Sequence, residues 1–163
     1  MMGGLFLTHS NAFVQAQSPP PSINGQITLP LDAADSIFNA NVTTFLGSKN
    51  LSFTPYRMAQ RHFSDLGLLK DVGNVTNNQT YTSTYLSDKL VQSTGNGTFE
   101  TPDGQSIEWI SSGMGKLVNR RWVFYGIMLF NNTQRESLSL LNNSFALYKG
   151  VPGNETDYVW ILK

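Results

Sequence analysis

From about Leu51 onward, one pattern repeats along this chain every dozen or so residues. A short run rich in Thr, Tyr, Val, Ile or Phe is followed by a cluster of turn-forming residues. Gln79–Leu86 (QTYTSTYL) has the Thr/Tyr content of a half-buried strand. Asn96–Glu100 leads into Thr101-Pro102-Asp103-Gly104, where Asp-Gly supplies the positive φ of a tight hairpin turn. Gln105–Ser111 answers it, with Ile107 and Trp109 on one face and Ser106 and Glu108 on the other. Gly113-Met114-Gly115 and Asn119-Arg120 read as further turns. Trp122–Phe130 (WVFYGIMLF) suits a strand covered on both faces, with Gly126 marking a bulge or bend. Leu138–Tyr148 and Thr156–Leu162 complete the series, with a turn at Gly150–Asn154 between them. Such spacing predicts an antiparallel barrel or sandwich.

Ahead of this region, Asp32–Phe45 places Ala33, Ile37, Phe38 and Val42 near helical spacing, with Asp32 as N-cap. The expectation is one short N-terminal helix, preceded by a short strand at Gln26–Leu31. Residues 1–17 end in a small-x-small match at Val14-Gln15-Ala16 and read as the back part of a signal peptide. Residues 18–22 (SPPPS) form a stiff linker. The folded domain is then 23–163.

Chemistry of the classes that need special residues is thin. Cysteine is absent, which excludes disulfides, thiolate catalysis and Cys-ligated metal. His9 and His62 are the only histidines, too few for a His-based metal centre, and His62 reads as structural. The net charge is zero and only 13% of residues are charged, so the chain carries no footprint for nucleic acid. Gly113-Met114-Gly115-Lys116 lacks the spacing of a phosphate loop. Glu100 and Glu108 could face each other across a hairpin, as an acid/base pair would, though two solvated side chains are the plainer outcome. No cofactor is expected.

Export is the stronger compositional signal. Eight N-x-S/T tripeptides begin at Asn41, Asn50, Asn74, Asn78, Asn96, Asn131, Asn142 and Asn154. With 15 Asn and 30 Ser or Thr in 163 residues, chance placement gives only about three. N-glycosylation at an extracellular or cell-surface location is the expectation, and the lack of cysteine points mildly to an archaeal surface.

Five segments carry a resemblance: Thr101–Glu108 (TPDGQSIE), Gly113–Leu117 (GMGKL), Trp122–Gly126 (WVFYG), Leu138–Asn143 (LSLLNN) and Tyr158–Lys163 (YVWILK). Over roughly 57–163 the chain resembles secreted small β-proteins of ammonia-oxidising archaea, and their order is similar to the allene-oxide-cyclase type of calycin barrel. The resemblance implies a mainly β, antiparallel calycin-like barrel and carries over no active-site residue. It also implies that Asn142 serves a turn first.

In an eight-strand barrel the aromatics Phe99, Trp109, Trp122, Phe124, Phe145, Tyr148, Tyr158 and Trp160 either fill the interior or line a pocket for a ligand. Three functions follow. The first is a secreted glycoprotein binding a small apolar ligand in the barrel. The second is a non-enzymatic envelope or adhesion protein with a solid core and cell-envelope partners. The third is a cofactor-free cyclase- or isomerase-like enzyme.

Overall fold

The computed structural model describes residues 31–131, 136–152 and 157–162. The expected signal peptide, the Pro-rich linker, all but the last residue of the first strand, His9 and Asn154 lie outside the described residues. The rest forms one closed ring of antiparallel strands in sequence order: β1 (Phe38–Ser52), β2 (Arg57–Leu69), β3 (Gly73–Ser87), β4 (Leu90–Glu100), β5 (Ser106–Val118), β6 (Arg121–Phe130), β7 (Phe145–Gly150) and β8 (Tyr158–Ile161). Each strand pairs with its neighbours in the chain, and β8 closes onto β1 through Phe38↔Val159 and Asn39↔Tyr158. Closure removes the free edges that an open sheet would present.

The turns are set by local chemistry. Gly104 has φ +83° in the β4–β5 turn, where the Gly104 N–H donates to Thr101 O at 2.9 Å. Asn119 and Arg120 join β5 to β6 with φ +50° and +66°, the two left-handed residues of a type I′ hairpin.

Several expectations need correction. The helix over Asp32–Phe45 shrinks to one 3-10 turn, Ala33–Asp35, in which Asp32 does cap by accepting from Ala34 N at 3.0 Å. From Phe38 onward the segment is strand. Register shifts at Ala40/Val42 and Phe45/Gly47 reset the alternation of β1, so its apolar residues fall out of period two and imitate a helix. Leu138–Tyr148 is a 3-10 helix, Glu136–Leu141, followed by β7. Gly113-Met114-Gly115 lies inside β5, and Gly126 pairs with Gly113 without a register shift. These glycines mark crowding inside the barrel, and neither a turn nor a bulge is present. Finally, β6 is covered on one face only: Tyr125, Ile127 and Leu129 are exposed, next to Ile110 of β5 and Phe145 of β7.

Inward-facing side chains sort by height. At one end Phe38, Leu69, Val75, Phe99, Ile107 and Phe130 pack as an apolar plug, with Phe38–Phe99 ring centres 4.8 Å apart and Phe99–Phe130 5.7 Å apart. Leu138 and Leu141 of the 3-10 helix are fully buried against that plug and seal it. The opposite end stays hollow.

Candidate functional site

The hollow end is a cavity of about 510 Å³. Its upper wall is aromatic: Phe45, Phe63, Tyr85, Trp122, Phe124 and Tyr158. Alternation puts Phe63 of β2, Tyr85 of β3, and Trp122 and Phe124 of β6 on the inside. Phe45 sits between two register shifts in β1 and Tyr158 shares its phase with Trp160, so these two border the cavity at its rim. Along β2 from the hollow end, the residues of that inward phase are Arg57, Ala59, Arg61, Phe63, Asp65, Gly67 and Leu69. Along β3 the matching run is Tyr85, Ser83, Tyr81, Gln79, Asn77 and Val75. The lumen thus grades from basic, through aromatic and polar, to apolar.

Space for the rings comes from glycine on the neighbouring strand. A Cβ at Gly95 would enter the ring of Tyr81, and one at Gly115 the ring of Phe124. Tyr148 lies against Gly113 and Gly126 together. Each of these glycines takes the place of a side chain that would otherwise fill the interior.

The middle layer is a hydrogen-bonded deck. Tyr81 Oη donates to Gln79 Oε1 at 2.9 Å, Asn77 Nδ2 donates to Asp65 Oδ2 at 3.1 Å, and Gln79 Nε2 donates to the same oxygen. Trp109 Nε1 donates to Asn77 Oδ1 at 2.9 Å, tying the deck to the plug below. Asn77, Gln79, Tyr81, Ser83, Ser93 and Asp157 line the cavity, whereas Asp65 is reached through Asn77 and Gln79. Asp157 is placed by its own backbone: its carbonyl accepts from Ala40 N at 3.0 Å across the β8–β1 seam.

Both carboxyls are pushed upward. Burial raises Asp65 to about 6, against the nearby Thr43 side chain and the hydrogen bonds from Asn77 and Gln79, which favour its anion. Burial raises Asp157 to about 7, and the charge of Asp65 adds to it. Burial likewise raises Tyr148 to about 12 and Tyr81 well above the ordinary tyrosine value. Near neutrality Asp157 is divided between acid and carboxylate, and Tyr81 and Tyr148 remain phenols that can donate. Asp65 Oδ1, Ser111 Oγ and Tyr148 Oη are buried and make no well-formed hydrogen bond to a described residue, although Ser111 sits close enough to Tyr81 and Tyr148 to favour their ionised forms. Unpartnered polar atoms at this depth cost free energy, and a ligand or water that pairs with them recovers it.

The aromatics singled out from sequence divide four ways. Trp122, Phe124, Tyr148 and Tyr158 line the cavity. Phe99 and Trp109 are buried in the core cluster and do not line it. Phe145 is exposed on the outer surface. Trp160 is buried, but its Nε1 donates to Asp32 O at 2.8 Å, so it holds down the segment before β1 and does not face the lumen. One residue of phase separates Phe145 and Trp160 from Tyr148 and Val159, and aromatic content alone does not report phase.

Glu100 and Glu108 are both exposed, and register pairs Glu108 with Thr98, so they form no dyad. His62 is half-buried, with Nδ1 2.9 Å from Thr80 Oγ1. Among the described residues no group of three His, Cys, Asp or Glu gathers to hold a metal. Asn41, Asn50, Asn74, Asn78, Asn96 and Asn131 are exposed, and Asn142 is half-buried. Asp65, Asn77, Gln79 and Asp157 escaped sequence reasoning. For the first three the signal was polar residues on the inward phase of β2 and β3, which has meaning only once the ring is closed, and Asp157, just before β8, had none.

No protein-family model matches this chain, no curated protein matches it, and no solved structure does.

Proposed function

We propose that this is an exported, N-glycosylated β-barrel protein that binds a small, mainly apolar molecule in its lumen. The observation that carries the binding is the cavity of about 510 Å³, aromatic at its wall and hydrogen-bonding at its floor. A hollow lumen favours this over an envelope or adhesion protein with a solid core. The excess of sequons supports export, and the exposure of Asn41, Asn50, Asn74, Asn78, Asn96 and Asn131 leaves room for sugar. A calycin-like barrel and kinship with archaeal surface proteins belong to the same proposal; the five sequence segments carry the kinship, and the up-and-down order of eight strands is compatible with the barrel type.

Phenylnaphthylamine, neutral and aromatic, tests the pocket through its gain of fluorescence on leaving water. The full chain should bind it at one saturable site. Ser93→Phe, which extends into the lumen from β4, should abolish that site with a native far-UV spectrum, at a lowered melting temperature because the Ser93–Ser83 contact is lost. Probe binding that survives Ser93→Phe would place the site elsewhere.

One observation favours a second reading, cofactor-free proton-transfer catalysis: Asp157, held near neutrality, faces an aromatic cavity. A molecule released from native protein by denaturation should then take up deuterium from heavy water when returned to wild type, and at least a hundredfold more slowly with Asp157→Asn. Equal uptake by both proteins removes Asp157 from any reaction.

A further inference from the structure

We infer that the lumen selects an anionic amphiphile, a ring-bodied molecule ending in a sulfonate, carboxylate or phosphate that the arginines at the barrel mouth receive. This rests on the lumen being a binding site and names the class of ligand it takes.

The chain has five arginines, and four of them, Arg57, Arg61, Arg120 and Arg121, line the hollow end. A neutral protein has thus concentrated its guanidinium charge at one opening. Two strands and one hairpin turn contribute. Arg57 and Arg61 are inward on β2, and both guanidinium carbons lie over the Tyr85 ring, at 4.8 and 5.7 Å from its centre. Tyr85 is steadied by an edge contact with Trp122 at 6.0 Å. Such stacking orients a guanidinium while leaving its N–H donors free to fork onto an oxyanion.

Arg120 occupies the second left-handed position of the β5–β6 turn, with φ +66°. Glycine is the common choice there, since a side chain at positive φ carries a backbone cost. Arginine at that site holds a charge at the rim. None of Arg57, Arg61 and Arg120 forms an ion pair with a described residue. Asp88 shares the adjoining depression with Arg57 and Arg61, one carboxylate against the collar of cations. Lys149 borders the same cavity, but its ammonium lies over the outward-facing Tyr125 ring, 6.0 Å from the ring centre, and stands outside the collar.

Below the collar the ligand meets Tyr85, Trp122, Phe124 and Phe63, and then the hydroxyl of Tyr81 and the amide of Gln79. Tyr85 and Tyr81 are four positions apart on β3, roughly 13 Å of strand. A headgroup at the collar and a carbonyl or hydroxyl at the deck would be spaced by about that length, the span of two or three fused or linked rings.

Two probes with the same rings separate this from pocket binding alone: neutral phenylnaphthylamine, and anilinonaphthalene sulfonate, which adds one sulfonate. Wild-type protein in low salt should bind the sulfonate at least tenfold more tightly. Raising salt to about 0.5 M should erase most of that preference, because exposed charge is screened, and leave phenylnaphthylamine unchanged. Arg57→Gln with Arg61→Gln, and separately Arg120→Gln, should each cut sulfonate affinity several-fold, with unaltered binding of the neutral probe certifying a folded lumen. Equal affinities for the two probes in wild type, or equal losses for both in the arginine variants, would overturn the anion selectivity while the pocket stands. Failure of both probes to bind would overturn the lumen reading and this inference together.

Discussion

Gly95→Ala is expected to destabilise the barrel by roughly 1–3 kcal/mol, the usual cost of overpacking, because the Tyr81 ring must leave its seat and shift into the cavity it lines. An added Cβ there would enter the Tyr81 ring and approach Ser111 Oγ to 2.9 Å, so the three atoms nearest to it belong to side chains. The strain should therefore be relieved by removing its cause. In a Tyr81→Ala background, Gly95→Ala should cost a few tenths of a kcal/mol at most, giving a coupling of about 1 kcal/mol or more in denaturant melts. Gly126 provides the contrast. Its Cβ would also press on Ser112 O and Gly113 Cα, backbone atoms that no side-chain deletion moves. Gly126→Ala should be destabilising with or without Tyr148, and rescue by Tyr148→Ala would show that the β5–β6 backbones are looser than described.

The second large effect is on pH. Asp65 and Asp157 have folded-state values of about 6 and about 7, above the ordinary aspartate value of 3.8. Between these limits the folded protein holds protons that the unfolded chain has released. Stability is then highest near and below about pH 4 from these groups, and it falls as pH rises through about 7, where both buried carboxyls must ionise. For Asp65 alone a shift of this size corresponds to on the order of 3 kcal/mol. The two acids interact, so their contributions do not simply add. Melting temperature should drop by several degrees between about pH 4.5 and 8.

Asp65→Asn tests the cause. An asparagine there still accepts from Asn77 and Gln79 and carries no charge. It should raise the melting temperature at about pH 8, have little effect at about pH 4.5, and flatten the slope between. A flat wild-type profile, or an Asp65→Asn variant less stable than wild type at high pH, would mean that water or a cation compensates the anion. The same titration bears on ligand binding, since ionising Asp157 removes a donor from the cavity wall and places negative charge there. A ligand that accepts a hydrogen bond at the deck should leave as pH rises past about 7.

Much of the β architecture was legible because closed antiparallel sheets obey a local rule. Turns at Asp103-Gly104 and Asn119-Arg120 are readable from residue type, since only a few residues tolerate their backbone angles. β6 and β8 were visible as compact apolar runs. β1 was not, because its bulges break the alternation on which strand recognition depends. The glycines of β5 and β6 were misread for a related reason. Glycine in sequence signals either a turn or a close approach, and only the neighbouring strand tells which. For Gly113 and Gly126 that neighbour is Tyr148.

The candidate site was half legible. Trp122, Phe124, Tyr148 and Tyr158 were marked by their aromaticity, whereas the acids and amides of the deck looked like any polar residues on a solvated strand. By itself the sequence determined the turns at Asp103-Gly104 and Asn119-Arg120, the predominance of strand and the want of cysteine, histidine pairs and basic runs. These follow from residue types and short-range spacing. Tertiary structure decided which face of each strand became the inside, and with it the buried carboxyls, the glycine-seated rings and the arginine collar. Inside and outside are properties of a closed ring. Asp65 acquires its chemistry from Asn77, Gln79 and Thr43, brought to it by β3 and β1, and from the loss of water when the barrel closes.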